Sequence, residues 1–374
     1  MQLLRLVQSQ VRLGEALPWG VRDAQGQLLL ARGQVIATQE QLAALLERGA
    51  SVDIEEVRAA AKRAEAEANK RPLNLFVLWE RALWQLDRVL RSVAEEPGFP
   101  ARVDELAQHI VALTDRDADI AIYLTVRQDP KRLTIYALAH SLHCAMVVCL
   151  MGRRLGWPED KTRSLMKAAL TMNIATLDLQ GRLAAQGVGP TPAQLELIRP
   201  HPALGEATLR SAGVDDPLWL AAVAQHHEKP DGSGYPNGLR EISELGAALR
   251  RIDVFMAKMA PRAMRAPLSA QVAARQLFQE DGGGPVSAAI IKEFGIYPPG
   301  DFVQLKSGEM AVVVRRSANA RAPQAASITD RHGMPMVNTV VRDTAKPEFA
   351  IVSLMTDKSL VLRVPPERLY GLPE

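Results

Sequence analysis

Apolar residues recur every three or four positions through the middle of the chain, which is the spacing of one buried helix face. Pro97–Pro100 interrupts this pattern between residues 73 and 126, so we predict helices on both sides of it, the second over about 101–114. Trp79 and Trp84 are both predicted to lie in the core. Helices are further predicted at 134–156, 158–172, 192–198, 201–212, 217–227, 246–259, 270–279 and 285–294, with a polar loop at 181–192.

The two ends of the chain have different patterns. Residues 19–30 predict a strand, a polar turn and a second strand, and residues 39–48 a short helix that Thr38 caps and Gly49 ends. Residues 54–72 are rich in Ala, Glu, Lys and Arg, which is typical of a solvated helical linker. After residue 300, short apolar or alternating segments predict strands at 302–305, 310–315, 324–329, 336–341, 350–355 and 360–364.

The fold class predicted from these patterns is mainly α. A helical domain is expected over residues 73–299, between a small α+β module at 1–53 with its linker at 54–72 and a small β module at 300–374. An all-helical bundle can present polar side chains inward and so build a metal site between its helices.

Composition indicates an ordinary globular protein. The 374 residues are 47% hydrophobic and 23% charged, and a net charge of +3 is too small to indicate nucleic-acid binding. Cys144 and Cys149 lie in an apolar segment, which predicts free buried thiols in a reducing compartment. The longest apolar run, at 144–151, is too short to cross a bilayer, and the first ten residues lack the apolar region of a signal peptide. We therefore expect a cytoplasmic protein without a membrane span.

The most informative stretch follows the apolar segment that begins at Pro217. Two adjacent histidines, His226 and His227, are followed by Pro230 and two glycines, which cannot continue a helix. Neutral imidazole is a common metal ligand, and a glycine-rich turn can approach a ligand closely. The whole string reads His-His-Glu-x-x-Asp-Gly-x-Gly-Tyr-Pro. Its loop half consists of Asp231, Gly232, Gly234, Tyr235 and Pro236.

This string resembles the signature of the HD-GYP family, metal-dependent hydrolases that cleave the bacterial messenger cyclic di-GMP. The resemblance covers roughly residues 135–298 and implies an HD-type helical bundle. It also implies that the metal ligands are His140, His201, His226, His227 and Asp253. Each of these residues alone could be an ordinary core or surface residue, but their shared order and spacing favour a site.

The defining His-Asp pair of that family is missing. Where the family has Leu-His-Asp-Ile-Gly-Lys, this chain has Met172, Asn173 and Thr176 in place of the histidine, the aspartate and the lysine. A neutral amide cannot supply the charge of a bridging carboxylate, and thioether sulfur is a poor ligand for hard divalent cations. Tyr136 also stands where some members have a further Glu ligand. We therefore expect no intact catalytic residues at these positions and no two-metal site, and at most one divalent ion (Fe, Mn or Zn), held by three histidines.

Arg262 and Arg265 lie in a segment similar to the one that contacts phosphate in the family, although a solvated basic patch would have the same sequence. The leading hypothesis is a degenerate HD-GYP protein that binds cyclic di-GMP, or docks a GGDEF diguanylate cyclase through its Gly-Tyr-Pro loop, with little or no catalysis. One alternative is an active phosphodiesterase with a remodelled site, and another is a pure scaffold. The oligomeric state is left open.

Overall fold

The computed structural model describes residues 3–6, 11, 13–60, 62, 73–355 and 364–372. The chain divides into two compact units, Met1–Leu73 and Asn74–Glu374. The structure confirms the predicted fold class, which is mainly helical with a small α+β unit at the start and a small sheet near the end. The boundary near residue 300 stays a prediction, because helices and sheet belong to one compact unit.

The first unit is a small antiparallel sheet with one helix. Its elements are β1 (Leu3–Arg5), β2 (Val21–Arg22), β3 (Leu28–Leu30), α1 (Gln39–Glu47) and β4 (Ser51–Asp53), and the strand order is β1-β4-β2-β3. Thr38 forms a capping box with Gln41 at the start of α1, as the predicted helix start requires. Trp19, Leu42 and Val52 are buried in its core. Residues 54–60 are helical, while most of the predicted linker lies outside the described residues.

The second unit is a helical bundle. Its helices are α2 (Leu75–Arg91), α3 (Phe99–Arg116), α4 (Ala118–Val126), α5 (Tyr136–Leu155), α6 (Glu159–Thr171), α7 (Leu177–Ala185), α8 (Pro192–Ile198), α9 (His201–Ser211), α10 (Pro217–Gln225), α11 (Glu244–Met259), α12 (Ala270–Asp281), α13 (Pro285–Phe294) and α14 (Pro366–Leu369). Single 3-10 turns precede α5 and α7.

Helix α5 is the centre of this bundle. It packs along α6 and also against α2, α3, α4, α7, α11 and α13, so almost every side chain on it is buried. Among the described residues, Leu133–Leu155 is the stretch that is long and apolar enough to cross a membrane by length and composition alone, and 78% of an 18-residue window within it is buried inside the fold. That burial is typical of a core helix. Cys144 and Cys149 are free and buried, as predicted.

Two local predictions were wrong. Trp79 is buried, but Trp84 is 48% exposed, and its indole N–H donates a hydrogen bond to Glu80 one turn earlier. The predicted loop at 181–192 is helical as far as Ala185. Gly181 allows α7 to approach the chain ahead of α5 closely, because a Cβ there would lie 2.2 Å from the carbonyl oxygen of Thr134.

The terminal sheet is antiparallel throughout. Its strands are β5 (Phe302–Leu305), β6 (Met310–Arg315), β7 (Gln324–Thr329), β8 (Pro335–Asp343) and β9 (Ile351–Leu354), in the order β8-β7-β6-β5-β9. Phe302, Val312 and Val314 belong to the same hydrophobic core as the helices, so this sheet helps to close the bundle. The strand predicted at 360–364 falls almost entirely outside the described residues.

Candidate metal and anion site

Two helices that are distant in sequence bring a histidine and an aspartate together. His140 on α5 and Asp253 on α11 are joined by a hydrogen bond of 2.7 Å between Nε2 and Oδ1. Burial alone would raise the pKa of Asp253, but the hydrogen bond with His140 and the nearby His227 outweigh it and hold that pKa below its ordinary value. The carboxylate is therefore anionic. The Tyr136 ring stacks on His140, with ring centroids 5.4 Å apart.

Three further histidines converge from the start of α9 and the end of α10. The Nδ1–H groups of His201 and His226 donate to the carbonyl oxygens of Ile198 and Val223, both at 2.7 Å. Their Nε2 lone pairs must therefore face each other, and these two atoms are 3.1 Å apart. With His227 added, one nitrogen from each of the three rings lies within 4.8 Å of the others.

The protonation state of these rings suits metal binding. Burial lowers the pKa of His201 to about 4 and also lowers the pKa of His226 and His227, so all three are neutral near pH 7. A neutral ring whose second nitrogen donates to a carbonyl is the usual arrangement of a ligating histidine. Two nitrogens bound tetrahedrally at the usual zinc distance lie about 3.4 Å apart, close to the spacing of the His201 and His226 Nε2 atoms.

The two groups of side chains meet around one cavity of about 410 Å³. Nδ1 of His227 lies 3.9 Å from Oδ2 of Asp253, which links the three-histidine cluster to the pair on α5 and α11. His140, His201, His227 and Asp253 line the cavity, while His226 is fully buried and is not among the lining residues. The structure thus brings all five residues together.

The two residues that replace the His-Asp pair, Met172 and Asn173, have different surroundings. Asn173 lines the cavity, and its Oδ1 accepts a hydrogen bond of 2.5 Å from Gln180 Nε2, which also donates to Thr176 Oγ1 at 3.1 Å. Met172 is fully buried in the hydrophobic core and is not among the residues that line the cavity. Met172 therefore does not take the place of a metal ligand at the cavity, because an apolar side chain at the end of α6 gains more by packing inward.

Basic side chains form another part of the cavity wall. Arg262 donates through Nη2 to the Tyr136 hydroxyl at 2.7 Å and lies over the face of that ring. Arg265 also lines the cavity and donates to the carbonyl of Ala257 at 2.5 Å. Because a guanidinium has five donors, both keep N–H groups for another acceptor. Lys258 adds a third positive charge to this wall, although it is paired with Glu280.

Buried contacts of Glu228 and Tyr235 hold the Gly-Tyr-Pro loop against the site. The Glu228 carboxylate is fully buried and accepts backbone N–H groups from Asn237 at 2.8 Å and Leu239 at 2.9 Å. Tyr235 stacks on His227 with ring centroids 4.6 Å apart and lines the cavity. Gly234 is required there, since a Cβ would lie 2.4 Å from the backbone nitrogen of Lys229.

The remainder of the loop faces outward. Asp231 is exposed, Gly232 has a φ of 80°, and the peptide bond before Pro236 is cis.

Comparison with known proteins finds several similar sequences. The family model described as HD domain matches residues 105–283. A cyclic di-GMP phosphodiesterase of Pseudomonas aeruginosa, PA4108, is 29% identical over 185 residues, which cover 48% of this chain and 45% of that protein. A cyclic di-GMP phosphodiesterase of Thermotoga maritima is 30% identical over 141 residues, covering 36% and 38%. These matches support the resemblance to the HD-GYP family and show an HD domain over residues 105–283.

Two further comparisons describe the range of relatives. The 3'3'-cGAMP-specific phosphodiesterase 3 of Vibrio cholerae is 30% identical over 135 residues, which cover 36% of this chain and 29% of that protein. Among solved structures, Bd1817, an HDG"Y"P protein from Bdellovibrio bacteriovorus, has a TM-score of 0.47 and 16% identity, covering 77% of this chain and 98% of that one. The chain spans less than half the length of the curated relatives that it matches.

Three contacts at the site matter that the sequence did not predict. Gln180 holds Asn173, Glu228 holds the loop, and Tyr136 connects His140 to Arg262. Glu228 could have been suspected, because it is the acidic residue inside the His-His-Glu string. Tyr136 was marked only as a position where some family members have a Glu ligand, and Gln180 had no signal. Their partners are set by how α5 and α7 pack.

The donor set fits one metal ion better than two. His201, His226 and His227 offer three neutral nitrogens in one cluster, whereas residue 173 offers only an amide that is already hydrogen-bonded. No carboxylate is therefore available at residue 173 to bridge two cations.

Proposed function

We propose that this HD-GYP protein binds cyclic di-GMP, or a closely related cyclic dinucleotide, in the cavity lined by His201, His227 and Asp253, and hydrolyses it hardly at all. The observation that carries this proposal is the hydrogen-bonded Asn173 amide where the family has an aspartate. Relatives named as cyclic di-GMP phosphodiesterases support the choice of ligand.

The three-histidine cluster would hold one divalent ion. Such an ion supplies Lewis-acid polarisation of a phosphoryl oxygen. Around it, the chain's own groups would bind and orient the ligand: His227 and Tyr235 form one wall, and anionic Asp253 holds His140 in place. Asn173 is neutral and cannot screen a second cation, so the clamp of a two-metal hydrolase is incomplete.

Phosphate recognition would fall to the arginines. Arg262 lines the cavity, and its Nε–H is buried without a hydrogen-bond partner among the residues that the structure describes. A buried donor of this kind is best satisfied by a ligand oxygen, and a guanidinium binds phosphate through two parallel hydrogen bonds. Arg265 would add a second positive charge at the same wall.

Docking of a GGDEF protein through the loop has less support. Tyr235 is packed on His227 and faces the cavity, which leaves Asp231 and its exposed neighbours to contact a partner. The active phosphodiesterase remains the main rival, since three histidines can hold a hydrolytic metal with an open position.

Calorimetry with cyclic di-GMP, beside a turnover assay with added manganese or iron, tests the proposal. We expect saturable binding that weakens about ten-fold or more in Arg262→Ala or Arg265→Ala, because each loses a charge-assisted hydrogen bond. Arg275→Ala, an exposed arginine on α12, is the matched control and should bind as the wild type does.

The two assays separate the hypotheses. Absence of cyclic di-GMP binding by the unmutated protein would favour the docking or scaffold hypothesis over nucleotide binding. Robust turnover by the unmutated protein, abolished by His226→Ala, would make the active phosphodiesterase correct.

A further inference from the structure

A second cavity, of about 160 Å³, lies between α2, the end of α4 and α5. Its walls are largely apolar, with Phe76 and Leu83 from α2 and Leu142 and Met146 from α5. Tyr136 lines this cavity as well as the metal site, but the histidine cluster does not. An apolar cavity with a few polar groups is the usual form of a small-molecule site.

Three buried polar atoms on its lining residues lack partners. Nε1 of Trp79, Nε of Arg127 and Nδ1 of His143 form no hydrogen bond with any part of the chain that the structure describes. Trp79 is 2% exposed and His143 9% exposed, so bulk water reaches neither side chain well. Unpartnered buried groups are uncommon in folded proteins, and three around one cavity indicate a common partner.

The chemistry of these atoms defines that partner. The indole and guanidinium nitrogens can only donate, so the partner must carry acceptors. Arg127 forms no ion pair within the described residues, whereas the other arginine of the wall, Arg132, is held by both oxygens of Glu80 at 2.7 and 2.8 Å. Asp129 is exposed and accepts the backbone N–H of Lys131. The lining thus carries two acidic and two basic side chains, and Arg127 is the basic one that stands outside an ion pair among the described residues. A guanidinium in that position, beside apolar walls, favours a ligand with anionic oxygens and an apolar body.

We propose that this cavity binds a small organic carboxylate with an aromatic or similarly flat apolar body, with its oxygens on Arg127 and Trp79. An apolar cavity of roughly 150 Å³ holds one benzene ring, so this volume matches a ligand whose apolar body is a single six-membered ring. His143 is neutral and can donate or accept, so it completes the polar end of the site. This proposal does not depend on the cyclic dinucleotide proposed above.

Titration of the full chain with phenylacetate, followed by calorimetry and ligand-observed NMR, tests it. One saturable site is expected, and phenylacetamide, the neutral analogue, should bind more weakly. Arg127→Gln should weaken phenylacetate binding about ten-fold or more, because it removes the charge-assisted bond. Trp79→Phe keeps the ring but loses the donor, and should weaken binding several-fold.

The controls place the ligand in this cavity rather than at the metal site. Arg88→Gln changes an exposed arginine on α2 that does not line the cavity and should bind phenylacetate as the wild type does, as should His226→Ala. Circular dichroism checks that each variant is folded. The proposal is overturned by absence of saturable binding up to roughly 10 mM, by affinity that is unchanged in both Arg127→Gln and Trp79→Phe, or by binding that is lost in His226→Ala.

Discussion

Glu228 offers a direct test of how the Gly-Tyr-Pro loop is held. Its carboxylate is fully buried and accepts the backbone N–H groups of Asn237 and Leu239. In Glu228→Gln the side chain keeps its size and one acceptor oxygen. Its new NH₂ group must then face the other backbone N–H, so one charge-assisted hydrogen bond is lost and two donors oppose each other.

The size of the effect follows from that geometry. A hydrogen bond to a charged group contributes about 1.5–3 kcal/mol, and a buried N–H left without an acceptor carries its own desolvation cost. Since about 1.4 kcal/mol corresponds to a factor of ten in an equilibrium constant, the open form of the loop should become about 10- to 150-fold more populated. The effect is local, because both backbone N–H groups that donate to this carboxylate belong to the loop segment that follows it.

Native-state hydrogen exchange measures this opening at single amides. The amides of Asn237 and Leu239 should exchange faster in Glu228→Gln by the stated factor, while amides in the middle of α5 keep their protection. Glu241→Gln, an exposed glutamate in the same segment, is the control and should change neither amide. Unchanged exchange at both amides in Glu228→Gln would refute the reasoning that this carboxylate holds the loop.

Further predictions concern protons and metals. Burial lowers the pKa of His143 to about 3, so below about pH 6.5 the unfolded chain binds the proton before the folded chain does, and the free energy of unfolding falls. The loss between pH 7 and pH 5 should be smaller by roughly 2 kcal/mol in His143→Leu, as measured by denaturant unfolding at both pH values. An identical pH dependence in the variant would contradict this. Metal analysis of the unmutated protein should find about one ion per chain, and His226→Ala should hold nearly none. The exposed control His332→Ala should hold as much metal as the unmutated protein. Metal retained in His226→Ala would exclude the three-histidine site. The double change Met172→His with Asn173→Asp should raise the metal content toward two ions per chain, whereas Asn173→Asp alone should not. A single ion in the double variant would indicate that residue 172 cannot turn out of the core.

Local sequence determined the type and order of most elements, because helix and strand periodicities and caps act within a few residues. The capping box of Thr38 and the breaks at Pro97–Pro100 and Pro230 are examples. The His-His-Glu-x-x-Asp-Gly-x-Gly-Tyr-Pro string indicated the family for a similar reason, since Gly234 is required by a backbone contact with Lys229, five residues away.

Only the tertiary structure decided how the site is connected. His140 and Asp253 are 113 residues apart and pair because α5 and α11 pack together. Tertiary packing also decided that the Met172 side chain lies in the core, and that Asn173 contacts Gln180 across the junction of α6 and α7. Periodicity shows which face of a helix is buried, but the direction of a side chain at a helix end depends on the neighbour that packs there, and that neighbour is set by the whole fold.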